Sequence, residues 1–202
     1  EYIDFSASLA DLDTNALDAL VESGLARQAD SETYDVHDLI REFLLRSLTP
    51  ALKEEFHGKC LEWYEKQPQN NEIKIEYIYH AIQSKQYETA SDIIVSDGRG
   101  LVSQGHLELL GLIEQIDHEE LQPEVHLSLN QLMGDILALM GRLDDAEAML
   151  HQAFDDATKQ SSLLLQAEIL SSLAAVSRKH GNSDVALSRH RDALKRYLQL
   201  GN

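Results

Sequence analysis

Apolar side chains recur at helical spacing along most of this chain, and the breaks in the pattern fall at residues that stop helices. Asp13 precedes Ala16, Leu17, Leu20 and Val21, and Gly24 follows them; an N-cap, an apolar stripe and a stop predict a helix over roughly 14–23. Leu25-Ala26-Arg27-Gln28 and Thr33-Tyr34-Asp35-Val36 flank the polar Asp30-Ser31-Glu32, and the alternation in the second run predicts a small β-hairpin. Leu39, Ile40, Phe43, Leu44 and Leu48 mark the buried stripe of another helix, which Thr49-Pro50 ends while starting the next. Phe56, Cys60, Leu61 and Tyr64 share one face of that next helix, and the proline and amide cluster Gln67-Pro68-Gln69-Asn70-Asn71 stops it.

Further along, Met133-Gly134, Gly141, Ala146 and Ala153 are matched forty residues later by Leu173-Ala174, Gly181, Ala186 and Ala193. In each copy a small residue sits seven before a glycine that turns the chain, and two alanines let antiparallel helices approach. The pattern resembles a tetratricopeptide repeat, whose usual length is roughly 34 residues. The surplus predicts longer helices. The segment from Tyr79 to Ala90 reads as a degenerate copy, since Lys85 precedes Ala90 by the same spacing as Gly141 precedes Ala146. Asp97-Gly98-Arg99-Gly100 and Gln104-Gly105 are expected to break the chain before a short amphipathic helix carrying Leu107, Leu110 and Ile113. Two regular hairpins should begin after Pro123, and the last helix should leave a stripe including Leu187, Leu194 and Leu198 partly uncovered.

Composition supports a mainly α chain: among 202 residues there are 3 Pro and 10 Gly, and aromatics are few. The single Cys60 excludes an intramolecular disulfide framework and a cysteine zinc cluster, which fits a reducing, cytoplasmic setting. No apolar run is long enough to span a membrane and no signal-peptide pattern opens the chain. Starting at Glu1 without an initiator Met, the chain is expected to be a fragment of something longer. Net charge is −18, and it is unevenly spread: residues 1–125 hold 26 acids and 9 bases, residues 126–202 only 9 and 8. An acidic first half disfavours nucleic-acid binding there. Direct DNA contact by residues 1–48 is further disfavoured by eleven acids against three bases. Arg178, Lys179, Arg189, Arg191, Lys195 and Arg196 crowd the last repeat. They form either a solvated helix face or a patch for an acidic partner, with Arg189, Arg191, Lys195 and Arg196 the candidate contacts.

Tyr34-Asp35-Val36-His37-Asp38-Leu39-Ile40-Arg41-Glu42-Phe43-Leu44 resembles the His-Asp-Leu-Leu-Arg-type segment that closes the winged helix of STAND signalling ATPases, the NB-ARC proteins and large bacterial regulators of the maltose-regulon-activator kind. His80-Ala81-Ile82-Gln83 through Gln104-Gly105-His106-Leu107 is similar to the segment that joins winged helix to repeats in those regulators. Met140-Gly141-Arg142-Leu143-Asp144-Asp145-Ala146-Glu147 is similar to the repeats themselves. The resemblance implies a mainly α fold with a partial winged helix (helix, β-hairpin, helix) leading into a right-handed α-helical hairpin solenoid. It implies three parts: residues 1–49, the end of a winged helix; residues 50–122, linking helices with the degenerate repeat; and residues 123–202, two tetratricopeptide-like repeats of about forty residues. It also implies that His37 contacts the phosphates of ADP in a full-length parent, although Val36 replaces the methionine of the plant-type form.

Catalytic chemistry is missing from the pattern. No Gly-x-x-x-x-Gly-Lys-[Ser/Thr] occurs, so no cofactor is expected in this fragment and any ATP or ADP would bind elsewhere in the parent. His118-Glu119-Glu120 lacks a second histidine at zincin spacing, and Asp144-Asp145 is explained by the positive end of a helix dipole. The expected role is therefore a regulatory or sensory fragment that is not itself an enzyme. Its repeats would receive a protein, peptide or small inducer. The alternative is a plain repeat scaffold with no ATPase attached.

Overall fold

The computed structural model describes residues 14–28, 34–36, 42–43, 46–68 and 70–201. Helix α1 (Thr14–Glu22) ends at Gly24, whose φ of +72° only glycine adopts at no cost. Strands β1 (Ala26–Gln28) and β2 (Tyr34–Val36) pair antiparallel with Ala26 opposite Val36, which is the expected hairpin. The helix expected over 39–48 falls largely outside the described residues, and residues 42, 43, 46 and 47 within it are helical. Helix α2 (Pro50–Tyr64) starts where Thr49-Pro50 requires: proline fills the first turn, where no amide partner is lost, and the Thr49 hydroxyl accepts the Leu52 N–H at 3.3 Å. Leu61 and Tyr64 of its expected apolar face are buried, whereas Phe56 stays exposed. Helix α3 (Asn71–Gln83) is capped by the Asn70 side chain, which accepts the Ile73 N–H at 2.8 Å, and packs against α2.

The chain divides into two compact units, residues 1–86 and 87–202. In the second unit α4 (Tyr87–Ser103) and the short α5 (Leu109–Ile113) precede a single 3-10 turn at His118–Glu120. Four helices of equal length follow: α6 (Pro123–Leu139), α7 (Leu143–Lys159), α8 (Leu163–Lys179) and α9 (Ser183–Gln199). The result is a mainly α-helical repeat solenoid. Each of the four spans 17 residues, so with three-residue connectors the surplus over a shorter repeat resides in the helices, as the sequence predicts. Helices α6 and α7 pack together, α7 on α8, and α8 on α9; α6 also touches α4 and α8.

One expectation is corrected. Gly98 and Gly100 do not break the chain but lie inside the continuous α4. A Cβ on Gly98 would come within 2.6 Å of Leu132 Cδ2, so the glycine is there to let α6 approach closely. The stop falls later, at Gly105 with φ +100°. Gly134 plays the same part in the first hairpin, where an added Cβ would meet Leu150 Cγ at 2.6 Å.

The helix ends share one backbone device. Lys85 (φ 58°), Gly105, Gly141 (φ 82°), Ser161 (φ 58°) and Gly181 (φ 84°) all turn through the left-handed region. At each, the following N–H bonds the carbonyl five residues before it, as Arg142 does to Leu137, Ser162 to Ala157 and Asn182 to Ser177. Such a reversal satisfies carbonyls that the helix end leaves open. Gly141→Val and Gly181→Val are each expected to lower stability by more than about 1 kcal/mol, because a β-branched residue resists positive φ. Nothing lies within 4 Å of either added Cβ, so the loss would come from the backbone alone. Thermal melts of both variants that overlay the parent's would refute it.

Candidate interaction surface

The basic cluster of the last helix separates into two pairs. Arg189 reaches back from α9: it donates to Glu147 Oε1 at 2.8 Å and to the Leu173 carbonyl at 3.1 Å, and it also bonds the Ser177 hydroxyl. Its hydrogen bond and charge hold the Glu147 carboxyl below the usual carboxylate range. Arg196 donates to Gln166 Oε1 at 2.9 Å and lies over the Phe154 ring, 5.4 Å from its centroid. These two arginines lace α9 to α7 and α8. Arg191 and Lys195 instead face outward, Lys195 pairing with Asp192 of its own helix at 2.8 Å. Arg191 shares its face with Leu187, Leu194 and Leu198, which are 51, 56 and 65 % exposed, the partly uncovered stripe that the spacing predicts. His37 lies outside the described residues.

A second feature was not visible as a motif. Arg99 of α4, Gln131 and Asp135 of α6, Glu168, Ser171, Ser172 and Ala175 of α8, and Tyr197 of α9 line a shallow cleft of about 290 Å³. At its mouth Arg99 bridges to Glu168 at 3.2 Å. Deeper in, burial pushes the Asp135 carboxyl up, partly offset by hydrogen bonding from Ser172 and by the charge of Arg99. Gln131, only 2 % exposed, donates its Nε2 to Ser172 Oγ at 3.3 Å. The signal that could have found these residues is a break in the repeat: forty residues after Gln131 and Asp135 stand Ser171 and Ala175. Gly134, Ala146 and Ala153 recur as small residues because packing demands them, whereas the polar pair does not recur.

In the first unit a recess of about 330 Å³ is lined by Ala51, Glu54, Glu55, Gly58, Ser84 and Gln86. Its acids are already matched, Glu54 by Lys85 at 2.7 Å and Glu55 by Lys59 at 3.0 Å. Beside it, within α2 and α3, His57 Nδ1 and His80 Nδ1 lie 2.8 Å apart, and Tyr64 stacks on His80 with centroids 5.3 Å apart. Burial, followed by the neighbouring His57, pushes the His80 pKa down to about 4. Among the described residues no three His, Cys, Asp or Glu side chains gather as a metal would need, and no helix is long and apolar enough to cross a membrane.

No curated protein and no solved structure matches the chain. Residues 124–199 match the tetratricopeptide repeat family, and the two helical hairpins that this stretch forms agree with a tetratricopeptide-like repeat there.

Proposed function

We propose that the chain is a regulatory and sensory fragment of a cytoplasmic STAND-type signal-transduction ATPase or transcription regulator, whose helical repeats receive a protein, peptide or small inducer. The observation that supports this most is the order of elements: a helix and a β-hairpin ahead of helical hairpins, in the sequence context of His37-Asp38-Leu39. In this reading residues 1–49 end a winged helix, 50–122 link it to the repeats, and 123–202 supply the binding surface. Arg191 and Lys195 would meet an acidic neighbour on the outer side of α9, and His37 would face nucleotide only in the parent. A plain repeat scaffold is the second reading, favoured by a family match confined to residues 124–199. The parent reading frame decides between them: a phosphate-binding loop encoded upstream supports the first, and further repeats or nothing upstream supports the second.

The isolated chain is expected to bind no ATP at millimolar concentration in calorimetry, since a lone imidazole does not replace the amides and lysine of a phosphate loop. Binding that His37→Ala abolished would reveal a nucleotide site in the fragment.

A further inference from the structure

We propose that the outer face of α9 seats one amphipathic helix of a protein partner, which sets a carboxylate against Arg191 and apolar side chains against Leu187, Leu194 and Leu198. This rests on the repeats being a binding surface, and it names the chemistry that one face of them selects. The four residues fall at i, i+4, i+7 and i+11, so they form a single row about 16 Å long on one side of the helix. The preceding hairpin shows how such a row is covered. Forty residues earlier the same positions of α7 are Glu147, His151, Phe154 and Thr158. Helix α9 lies across them: Arg189 donates to Glu147 at 2.8 Å and approaches His151 at 3.2 Å, and Arg196 lies over Phe154. Glu147 meets Arg189 and Phe154 meets Arg196 at equal separations along the chain, so the covering helix runs parallel to the covered one.

On α7 the charge in the row is matched by the opposite charge of the helix above it. On α9 the row is apolar except for Arg191, which has no ion pair among the described residues, whereas the nearby Lys195 is held by Asp192 at 2.8 Å. Arg191 stands between Leu187 and Leu194, so a helix that covers both leucines also takes the guanidinium out of water. A desolvated charge without a partner opposes binding, and the covering helix must therefore bring a carboxylate. A second copy does not supply it, because pairing the face with itself brings two Arg191 side chains together near the twofold axis. An anionic bilayer fits no better: the row is one side chain wide, and the net charge of −18 opposes approach to lipid of the same sign.

The test uses the intact chain and a display library of helix-stabilised peptides, randomised at four positions with the mutual spacing of Leu187, Arg191, Leu194 and Leu198. Enriched peptides are expected to carry aliphatic residues with Asp or Glu at the position facing Arg191. The best of them, made as a synthetic peptide and added to isotopically labelled protein, should shift the amide resonances from Leu187 to Leu198 saturably. Leu194→Asp should weaken its binding about tenfold or more, with the thermal melt unchanged because Leu194 is 56 % exposed. Arg191→Glu should weaken it about tenfold, and changing the peptide's acid to lysine should restore it. Enrichment of uncharged or basic residues opposite Arg191, or an Arg191→Glu variant that binds the original peptide as well as the parent does, would overturn the proposal. Dimerisation in sedimentation that Leu194→Asp abolishes would give the face to a second copy instead, and binding to phosphatidylserine vesicles lost in the same variant would give it to lipid. If the enriched peptides shift Gln131, Ser171 and Ala175 in the cleft, the face is wrong while the repeats remain a binding surface; no enrichment at all would sink both.

Discussion

Leu150→Ala is expected to destabilise the second unit by about 2–5 kcal/mol, and Leu194→Ala by less than about 0.5 kcal/mol. Both leucines lie on second helices of hairpins, but Leu150 has no exposed surface while Leu194 is 56 % exposed. Leu150 fills the space that Gly134 leaves, its Cγ 2.6 Å from where a Cβ on residue 134 would stand. Truncating it opens a cavity that α6 and α7 cannot close without shifting both backbones. The reciprocal change tests the same contact from the other side. Gly134→Ala alone should cost about 1–3 kcal/mol by overpacking, and part of that cost should disappear in a Leu150→Ala background. Denaturant titrations of the two single variants and the double variant would show it. Simple additivity would mean that the close approach of the two helices is not what the glycine serves.

Acidification should loosen the first unit through its histidine pair. With Nδ1 atoms 2.8 Å apart, one ring donates and the other accepts, so a proton on both would set two N–H groups against each other. The folded His80 pKa of about 4 lies below the ordinary 6.5 through burial and then the charge of His57, and His57 itself is lowered by burial and by Lys53. The unfolded chain therefore takes up protons first. The pair's contribution is fully present above pH 6.5 and falls away as pH drops toward 4. Linkage puts the loss for His80 at about 2–3 kcal/mol between about pH 7 and about pH 4.5. The single tryptophan, Trp63, reports it, because its ring lies 4.9 Å from Tyr64, which stacks on His80. His80→Phe keeps an aromatic ring there without a titratable nitrogen. If its unfolding midpoint falls with pH as steeply as the parent's, other groups carry the pH response.

What could be read from the sequence was whatever local chemistry alone dictates. Gly24, Thr49-Pro50, Gly141, Gly181 and Pro123 mark element ends because the φ, cap or missing N–H they bring acts on adjacent residues. Ser161 escaped the same reading: it takes positive φ without being glycine, held by the packing of α7 on α8 rather than by its own preference. Gly98 failed in the opposite direction, since a glycine inside a helix looks like a stop until the neighbouring Leu132 is known, while at Gly100 nothing lies within 4 Å of an added Cβ. Arg189 and Arg196 looked like a surface patch because Glu147, Phe154 and Gln166 are far from them in the chain. The cleft needed four helices to assemble, and no spacing rule joins Arg99 to Tyr197.

The three-residue connectors bear on how the chain reaches this structure. A helix that reverses within three residues meets its neighbour at almost no cost in loop-closure entropy, and in the repeat region each helix packs on the one before it. Neither hairpin has to wait for a distant segment. Folding can then begin in α6–α7 or in α8–α9 and spread across the α7–α8 contact, so the route, unlike the end point, is not unique.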